Sequence, residues 1–225
     1  MEILFKNKDF LIVNKPAGMP SQSDTSGDKD AMSLASEMLS DEGERPELYL
    51  IHRLDRVVGG LLVFARNKKS AAELSRLVSG EGIGKEYIAV IDGYLEGGRL
   101  TDYLYKDARA SKAFVVDRKR AGVKEAELSF EPVMSTDTEK GVKTLVKVRL
   151  KTGRFHQIRA QFSSRKAPIC GDGKYGSKDN RAHFPALFAY KLSFELFGEN
   201  TEIGAVPDTE SYPWCLFDKN IYGEL

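Results

Sequence analysis

Three short segments place charged or polar side chains directly beside apolar runs, and these residue types could do acid–base or nucleophilic chemistry. They are His52–Arg56, Lys85–Tyr87 and Arg154–Arg159. Asp55 lies between the apolar runs LYLI and GLLVFA, so we expect its carboxylate in a loop at a sheet edge or in a cleft. A carboxylate placed there can act as a nucleophile or a base if a cation keeps it ionised.

Arg159 is the candidate cation for Asp55. The segment FHQIRAQFSS has helical spacing, with Phe155, Ile158 and Phe162 on the inward face. At roughly 100° per residue, Arg159 lies about 70° from the centre of that face, on the border between buried and exposed. From this border its guanidinium could hold the aspartate ionised and oriented.

These residues alone leave a second interpretation open. An Asp–Arg pair beside apolar strands is more often a structural ion pair than a catalytic one. Tyr87 lies in the strand-like run YIAVI, where an aromatic side chain usually belongs to the core. A single histidine such as His52 or His156 is more often a hydrogen-bonded structural residue than a base or a ligand.

The elements that must position these residues are short strands and a few helices. EILF and FLIVNK predict a hairpin, and a helix is predicted from about Ala31 with Asp30 as its N-cap. LYLI, GLLVFA and YIAVI are typical of buried strands, while SAAELSRLV has helical spacing. Residues 142–150 alternate as in a half-buried antiparallel strand, with Lys143 and Leu145 on its exposed face. The pattern indicates an α+β fold.

Composition limits the class of protein. The chain has 225 residues, of which 41% are hydrophobic, which is enough to form a sizeable core. It shows neither a secretory signal nor an apolar run that could span a bilayer, so we expect a cytoplasmic protein without a membrane partner. Cys170 and Cys215 are far apart and lack metal-site spacing, so we expect no disulfide framework and no metal.

The formal net charge of +1 hides an uneven distribution. Residues 51–194 carry 28 Lys and Arg against 16 Asp and Glu, and acidic segments on both sides compensate for them. The densest basic stretch contains Lys106, Arg109, Lys112, Arg118, Lys119, Arg120 and Lys124. Such a stretch could neutralise RNA phosphates, or it could be a solvated surface that balances the acidic segments.

The order of the motifs resembles that of a known family. HRLDRVVGGLLVFARN, KEYIAVIDG and LKTGRFHQIRAQF followed by APICGDGKYG are similar to the signature segments of RluA-like pseudouridine synthases. VNKPAGMPSQ resembles the family's opening segment and ALFAYKLSFE its closing strand, so the motif-bearing part covers about residues 10–195. The resemblance implies one catalytic domain over residues 1–225, without a separate N-terminal RNA-binding domain. It also implies a mixed, largely antiparallel central sheet with flanking helices and a catalytic cleft.

The resemblance also assigns roles to single residues. Asp55 matches the family's essential aspartate, Tyr87 its active-site tyrosine, and Arg159 the arginine that pairs with the catalytic aspartate. Tyr87 would pack against the target base and remove a proton late in the reaction. Five other residues of these motifs are expected to line the cleft or contact RNA, namely Lys15, Arg53, Arg56, Arg154 and His156.

The implied activity is the isomerisation of specific uridines in ribosomal or transfer RNA to pseudouridine, without a cofactor, by a monomer. Asp55 would either attack the sugar covalently or abstract a sugar proton to give a glycal-like intermediate, and the sequence leaves both routes open. One departure is Val58-Gly59 in place of the family's usual Thr-Ser. It supports an alternative hypothesis, a catalytically silent RNA-binding or RNA-folding factor. A nucleoside or glycoside hydrolase is disfavoured, because such enzymes typically need a second carboxylate or a metal cluster of acids near the anomeric centre, and the resemblance assigns only one catalytic carboxylate, Asp55.

Overall fold

The computed structural model describes residues 1–80 and 82–225, which form two compact units. The strands are β1 (Glu2–Lys6), β2 (Phe10–Lys15), β3 (Tyr49–Leu50), β4 (Gly59–Ala65), β5 (Ile83–Asp92), β6 (Gly98–Asp107), β7 (Lys112–Val116), β8 (Val123–Thr136), β9 (Lys143–Leu150), β10 (Leu187–Leu196) and β11 (Glu199–Gly204). The helices are α1 (Ala31–Asp41), α2 (Lys68–Ser79) and α3 (Gln157–Ser164). This content is that of an α+β fold with mixed, mostly antiparallel strands, which confirms the predicted fold class.

Unit 1 consists of Met1–Lys85 and Ala189–Pro207. β1 and β2 form the predicted antiparallel hairpin, β2 pairs with β4, and β10 lies next to β4. Gly60 is required at this last contact, because its φ is +116° and an added Cβ would lie 2.3 Å from the Ala189 carbonyl oxygen. Lys15 at the end of β2 and the loop that precedes β4 are therefore held close together, since Lys15 pairs with Gly60 across the two strands.

Unit 2 consists of Glu86–Phe188 and Asp208–Leu225. Its strands follow the order β5-β9-β8-β6-β7, and each neighbouring pair is antiparallel. Helix α3 follows β9 and packs against β6 and β7. The C-terminal segment packs on this unit through the buried side chains of Trp214, Phe217 and Tyr222. Across the described residues, no helix is both long and apolar enough to cross a membrane.

Helices α1 and α2 begin at polar caps, and the cap of α1 is the predicted one. Asp30 is the N-cap of α1, and its carboxylate accepts from the Ser33 N–H at 3.0 Å. Asn67 caps α2 in the same way through the Ser70 N–H at 2.9 Å, so that α2 begins two residues before the predicted SAAELSRLV segment. Both caps satisfy N–H groups that have no partner within the helix.

Two sequence predictions about burial were wrong. β9 is buried on both faces over its first four residues, because Lys143 is only 1% exposed and Leu145 is fully buried. Helix α3 begins at Gln157, and all residues from Gln157 to Phe162 are buried. Arg159 is therefore 4% exposed and not at a border. Alternation in a strand and helical spacing in a helix reveal only one buried face. In β9 and α3 the second face is buried as well, because segments that are distant in the sequence pack against it.

Candidate active site

Asp55 lies in the loop between β3 and β4, whose backbone is fixed from both sides. The Ser21 hydroxyl donates to the Leu54 carbonyl at 2.9 Å and accepts from the Leu54 N–H at 3.1 Å. The Gly18 N–H donates to the Arg56 carbonyl at 2.8 Å. The residues immediately before and after Asp55 are thus tied to the Pro16–Ser21 segment, which gives the half-buried carboxylate a defined position.

Val58 and Gly59 replace the family's usual Thr-Ser at a place where the backbone, and not a side chain, shapes the loop. Val58 is 2% exposed, and its N–H donates to the Asp55 carbonyl at 2.9 Å, closing the turn that contains Asp55. Any residue with a backbone N–H can make this bond. The loss of two hydroxyls at Val58 and Gly59 therefore leaves the turn intact, which removes the main support for a catalytically silent protein.

Lys15 stabilises the same loop through hydrogen bonds to backbone carbonyls. Its side chain is fully buried, and Nζ donates to the carbonyls of Met19 at 2.7 Å, Pro16 at 3.0 Å and Arg56 at 3.4 Å. Burial lowers the pKa of the Lys15 ammonium to about 8, and the nearby Asp55 carboxylate opposes this shift. Its position suits a residue that shapes the loop, and its burial argues against contact with an RNA phosphate.

The lowered pKa of Lys15 predicts a change in stability at alkaline pH. Between pH 8 and 10.5 the unfolded chain keeps a proton that the folded chain has lost, so the free energy of unfolding rises with pH. Relative to Lys15→Met, the wild type should gain up to about 3 kcal/mol over this window. Urea unfolding of both proteins from about pH 7.5 to about pH 10 measures this difference. Parallel profiles would show that the lysine does not titrate there.

The two arginines that flank Asp55 differ in their surroundings. Arg56 donates Nε to the Gly18 carbonyl at 3.0 Å and Nη1 to the Ser26 hydroxyl at 2.9 Å, and it also pairs with the Asp28 carboxylate. Arg53 is exposed. Arg56 therefore helps to hold the neighbouring loop, while Arg53 presents its charge to solvent, where an RNA phosphate could approach it.

His52 has a structural hydrogen bond. Its Nε2 accepts from the Val63 N–H at 3.3 Å, which requires the neutral ring with its proton on Nδ1. Burial is the main cause that lowers the pKa of His52 to about 3, and the charge of Lys85 adds to it. The ring therefore stays neutral at physiological pH and ties the loop to β4.

Tyr87 lies in unit 2, on the fifth residue of β5. It is 7% exposed and pairs in register with Val148 of β9. Its neighbour Glu86 lies opposite Arg149, and the Arg149 Nε is 3.1 Å from the Glu86 carboxylate. The strand pairing on β9 fixes the direction of the Tyr87 side chain, since successive side chains alternate between the two faces.

Arg159 forms a buried, two-point ion pair with Asp172. Nε donates to one carboxylate oxygen at 2.7 Å and Nη2 to the other at 2.9 Å. Asp172 is 1% exposed, and the guanidinium also lies 4.9 Å from the centre of the Tyr175 ring. Two parallel hydrogen bonds and a stacked ring fix the plane of the guanidinium.

Sequence reasoning missed Asp172. It lies in the APICGDGKYG segment, to which the resemblance assigned no residue role. The sequence did contain a sign of this buried acid: Asp172 lies between two glycines that follow the apolar pair Ile169-Cys170. A carboxylate buried at such a place needs a cation as its partner. Its partner Arg159 is 13 residues away, and no periodicity within one element connects the two.

His156 is the N-cap of α3 and has a left-handed backbone, with φ of 51°. Its Nδ1 lies 3.0 Å from the Tyr175 hydroxyl, which accepts from the Ala113 N–H at 2.8 Å. Burial, followed by the charge of Arg159, lowers the pKa of His156 to about 3. A neutral His156 cannot pair with a phosphate through its charge.

Removing the Tyr175 hydroxyl should destabilise the protein. Tyr175→Phe leaves the Ala113 N–H and His156 Nδ1 without their shared partner, although the aromatic ring keeps its packing. We expect the free energy of unfolding to fall by about 1–3 kcal/mol, measured by urea denaturation. Tyr94→Phe, at a tyrosine that is 57% exposed, is the matched control and should behave like the wild type. Equal stability of both variants would contradict the assigned hydrogen bonds.

A buried charge cluster anchors the segment that carries Asp172. Lys143 Nζ lies 2.5 Å from a carboxylate oxygen of Asp92 and 3.0 Å from one of Asp179. The Ser177 hydroxyl donates to Asp92 at 2.6 Å, and the Tyr212 hydroxyl donates to Asp179 at 2.5 Å. The hydrogen bonds to Asp92 and Asp179 raise the pKa of Lys143 against the opposing effect of burial. This cluster explains why Lys143 is buried, and it joins β5, β9 and the C-terminal segment to the loop beyond Asp172.

Each unit contains one group of the predicted residues. In unit 1, Lys15 and Arg56 surround the Asp55 loop, and in unit 2, His156 and Arg159 surround Tyr175. Arg154 is exposed, and its Nε donates to the Glu125 carbonyl at 2.8 Å. Over residues 1–80 and 82–225, no group of three or more His, Cys, Asp or Glu side chains is arranged to hold a metal ion.

Comparisons with known proteins identify the family. The model of the family described as RNA pseudouridylate synthase matches residues 9–164. A protein of Haemophilus influenzae named as an uncharacterized RNA pseudouridine synthase is 28% identical, and the alignment covers 92% of this chain and 88% of that protein. The tRNA pseudouridine synthase C of Vibrio vulnificus is 32% identical, with 84% of this chain and 79% of that protein covered.

The fold agrees with this result. The structure of human RNA pseudouridylate synthase domain containing 1 superposes with a TM-score of 0.75 at 23% identity, covering 92% of this chain and 83% of that one. At that identity, the likeness supports the fold alone. The family match and the sequence relatives show that this chain belongs to the RNA pseudouridylate synthase family and is an isomerase that acts on RNA.

Proposed function

We propose that this protein isomerises specific uridines in a structured RNA to pseudouridine, with Asp55 starting the reaction and without a cofactor. The observation that carries the proposal is the fixed loop around Asp55. Lys15, Ser21 and Gly18 hold the backbone on both sides of the aspartate. A carboxylate held in this way loses little conformational entropy when it reaches the geometry of the reaction.

The reaction needs few groups because it involves no redox change and no second substrate. The bond between the ribose C1′ and the uracil N1 breaks, the base turns, and C1′ is joined to C5. Asp55 would either attack C1′ and later leave, or take a sugar proton to give a glycal-like intermediate. In both routes the uridine must leave its stack, so that the detached base can turn in a protected pocket.

Tyr87 and Arg159 complete the proposed set. Tyr87 would pack against the target base and remove the proton from C5 after the new bond forms, while N1, released from the sugar, takes up a proton, so that the net change is an isomerisation. Arg159 would keep the catalytic aspartate ionised and oriented. Two features support this role for Arg159: its guanidinium is buried, and Asp172 and Tyr175 restrict its orientation. Asp172 is then a positioning residue that acts through Arg159.

We propose transfer RNA as the substrate, with ribosomal RNA as the alternative. The support is that several similar proteins carry the name tRNA pseudouridine synthase C, among them those of two Vibrio species at 29% and 32% identity. The local excess of basic residues between positions 51 and 194 suits a polyanion of this kind. We further propose that the protein acts as a monomer in the cytoplasm, where its free thiols Cys170 and Cys215 stay reduced.

The substrate can be tested with purified protein. Unmodified tRNA and unmodified rRNA, each prepared from transcripts, are incubated with the enzyme in buffer without added cofactors. Pseudouridine is then mapped by a chemical method with single-nucleotide resolution. We expect one or a few modified positions in tRNA and none in rRNA. Modification of rRNA alone would overturn the tRNA assignment, and RNA binding without modification would favour the catalytically silent alternative.

A further inference from the structure

The hairpin formed by β6 and β7 carries a basic surface whose role the proposed reaction does not explain. Residues 104–124 contain seven Lys and Arg against two Asp, whereas the whole chain has a net charge of +1. β7 is at the end of the strand order in unit 2, so this surface is at an edge of the sheet. A concentrated positive charge at an open edge can attract a polyanion.

The two faces of the hairpin differ. Leu104 and Ala113 lie on the inner face and form a buried cluster with Ala160 of α3. Tyr105 and Phe114 lie on the outer face, where they pair directly across the two strands. Their side chains are 37% and 41% exposed. A strand face that contacts only water usually carries polar side chains. Two large aromatic rings exposed side by side on such a face therefore indicate a binding surface.

Each exposed ring has a cation beside it. The Arg120 guanidinium lies 5.8 Å from the centre of the Tyr105 ring, and the Lys112 ammonium lies 5.4 Å from the centre of the Phe114 ring. The Lys112 ammonium also donates to the Lys174 carbonyl at 2.7 Å, and this hydrogen bond restricts the position of the ammonium beside the Phe114 ring. We call Tyr105 and Phe114, together with Arg120 and Lys112, the aromatic platform.

We propose that the aromatic platform is a second RNA-docking surface, which stacks unpaired bases of the substrate away from the reacting uridine. Its rings would stack on the faces of bases, while Arg120 and neighbouring cations contact the flanking phosphates. Aromatic rings interleaved with cations are the combination that binds single-stranded nucleic acid without reading its sequence. The inference rests on the proposed function, because it takes the substrate RNA as the occupant of the platform.

The test compares leucine variants that remove a ring but keep an apolar side chain. Tyr105→Leu and Phe114→Leu are titrated with a labelled oligouridine of about ten nucleotides, within the usual range of single-strand site sizes. Each variant should bind this probe about tenfold more weakly. Phe197→Leu is the matched control, because Phe197 is 47% exposed and has the Lys69 ammonium 4.7 Å from its ring centre, but lies in unit 1. It should bind like the wild type.

A salt series separates the rings from the cations. The ring variants should keep the wild-type dependence of affinity on salt, whereas Arg120→Gln should reduce the slope of log affinity against log salt by about 0.7. With unmodified tRNA, the ring variants should raise KM about tenfold and leave kcat unchanged, because the platform is not assigned to the chemical step. Circular dichroism and melting temperatures check that each variant is folded.

Three outcomes would overturn the platform: wild-type affinity in both ring variants, equal loss in Phe197→Leu, or a fall in kcat with unchanged KM. Failure of the proposed function looks different. If the wild type binds the oligouridine and the ring variants do not, while no protein forms pseudouridine, the platform stands and the catalytic assignment falls. If pseudouridine forms and the ring variants match the wild type in affinity and KM, the catalytic assignment stands and the platform falls.

Discussion

Asp55→Asn is expected to abolish pseudouridine formation, with the single-turnover rate falling more than about a thousandfold while the fold is kept. An asparagine amide has the shape of the carboxylate but can neither attack C1′ nor accept a proton at neutral pH. The loop should persist, because Ser21 and Lys15 hold main-chain atoms of Leu54 and Arg56. Rates are measured with saturating unmodified tRNA, and melting temperatures report on the fold.

Asp41→Asn is the matched control, since Asp41 is an exposed carboxylate at the end of α1. This variant should retain the wild-type rate. Binding of RNA by Asp55→Asn should also persist, since the substitution changes the chemistry and leaves the basic surface in place. A rate for Asp55→Asn within about tenfold of the wild type would exclude Asp55 as the residue that starts the reaction.

The second large effect is expected for Asp172→Ala, which leaves the buried Arg159 guanidinium without the carboxylate that binds it at two points. Removing one partner of a buried ion pair typically costs about 3–5 kcal/mol, so we expect a loss of this size in the free energy of unfolding. Activity should fall as well, because Arg159 loses the two hydrogen bonds to Asp172 that help to fix the plane of its guanidinium. Urea denaturation and single-turnover rates measure the two effects.

An exposed pair provides the comparison. Glu73 binds Arg76 at two points on the surface of α2, so Glu73→Ala removes a contact of the same kind in water. We expect no measurable change in stability or rate for this variant, because solvent screens the exposed pair. If Asp172→Ala and Glu73→Ala have the same small effect, the buried pair contributes little and Asp172 is not a positioning residue.

Local sequence patterns predicted much of the fold. The β1–β2 hairpin, helix α1 with its Asp30 cap and the strand over residues 143–150 were visible from alternation, helical spacing and capping. These features depend on neighbouring residues, so a short window of sequence contains their cause. The order of the motifs also pointed to the family that the comparisons confirm.

The parts that the sequence did not predict depend on distant partners. Lys143 is buried because Asp92 and Asp179 neutralise it, yet these residues are 51 and 36 positions away. Arg159 is buried because α3 is covered on all sides, which helical spacing alone cannot indicate. Asp172 and the burial of Lys15 belong to the same class, since each depends on contacts between segments that the fold brings together.

The most direct test of the proposed catalytic role of Asp55 is a map of pseudouridines in the total RNA of host cells. Three strains are compared: one with the gene, one without it, and one that expresses only Asp55→Asn. We predict that one or a few uridines, in tRNA, lose the modification in the deletion strain and in the Asp55→Asn strain, although the variant protein is expressed. Restoration of the modification by Asp55→Asn, or no change in any strain, would contradict the proposed role of Asp55.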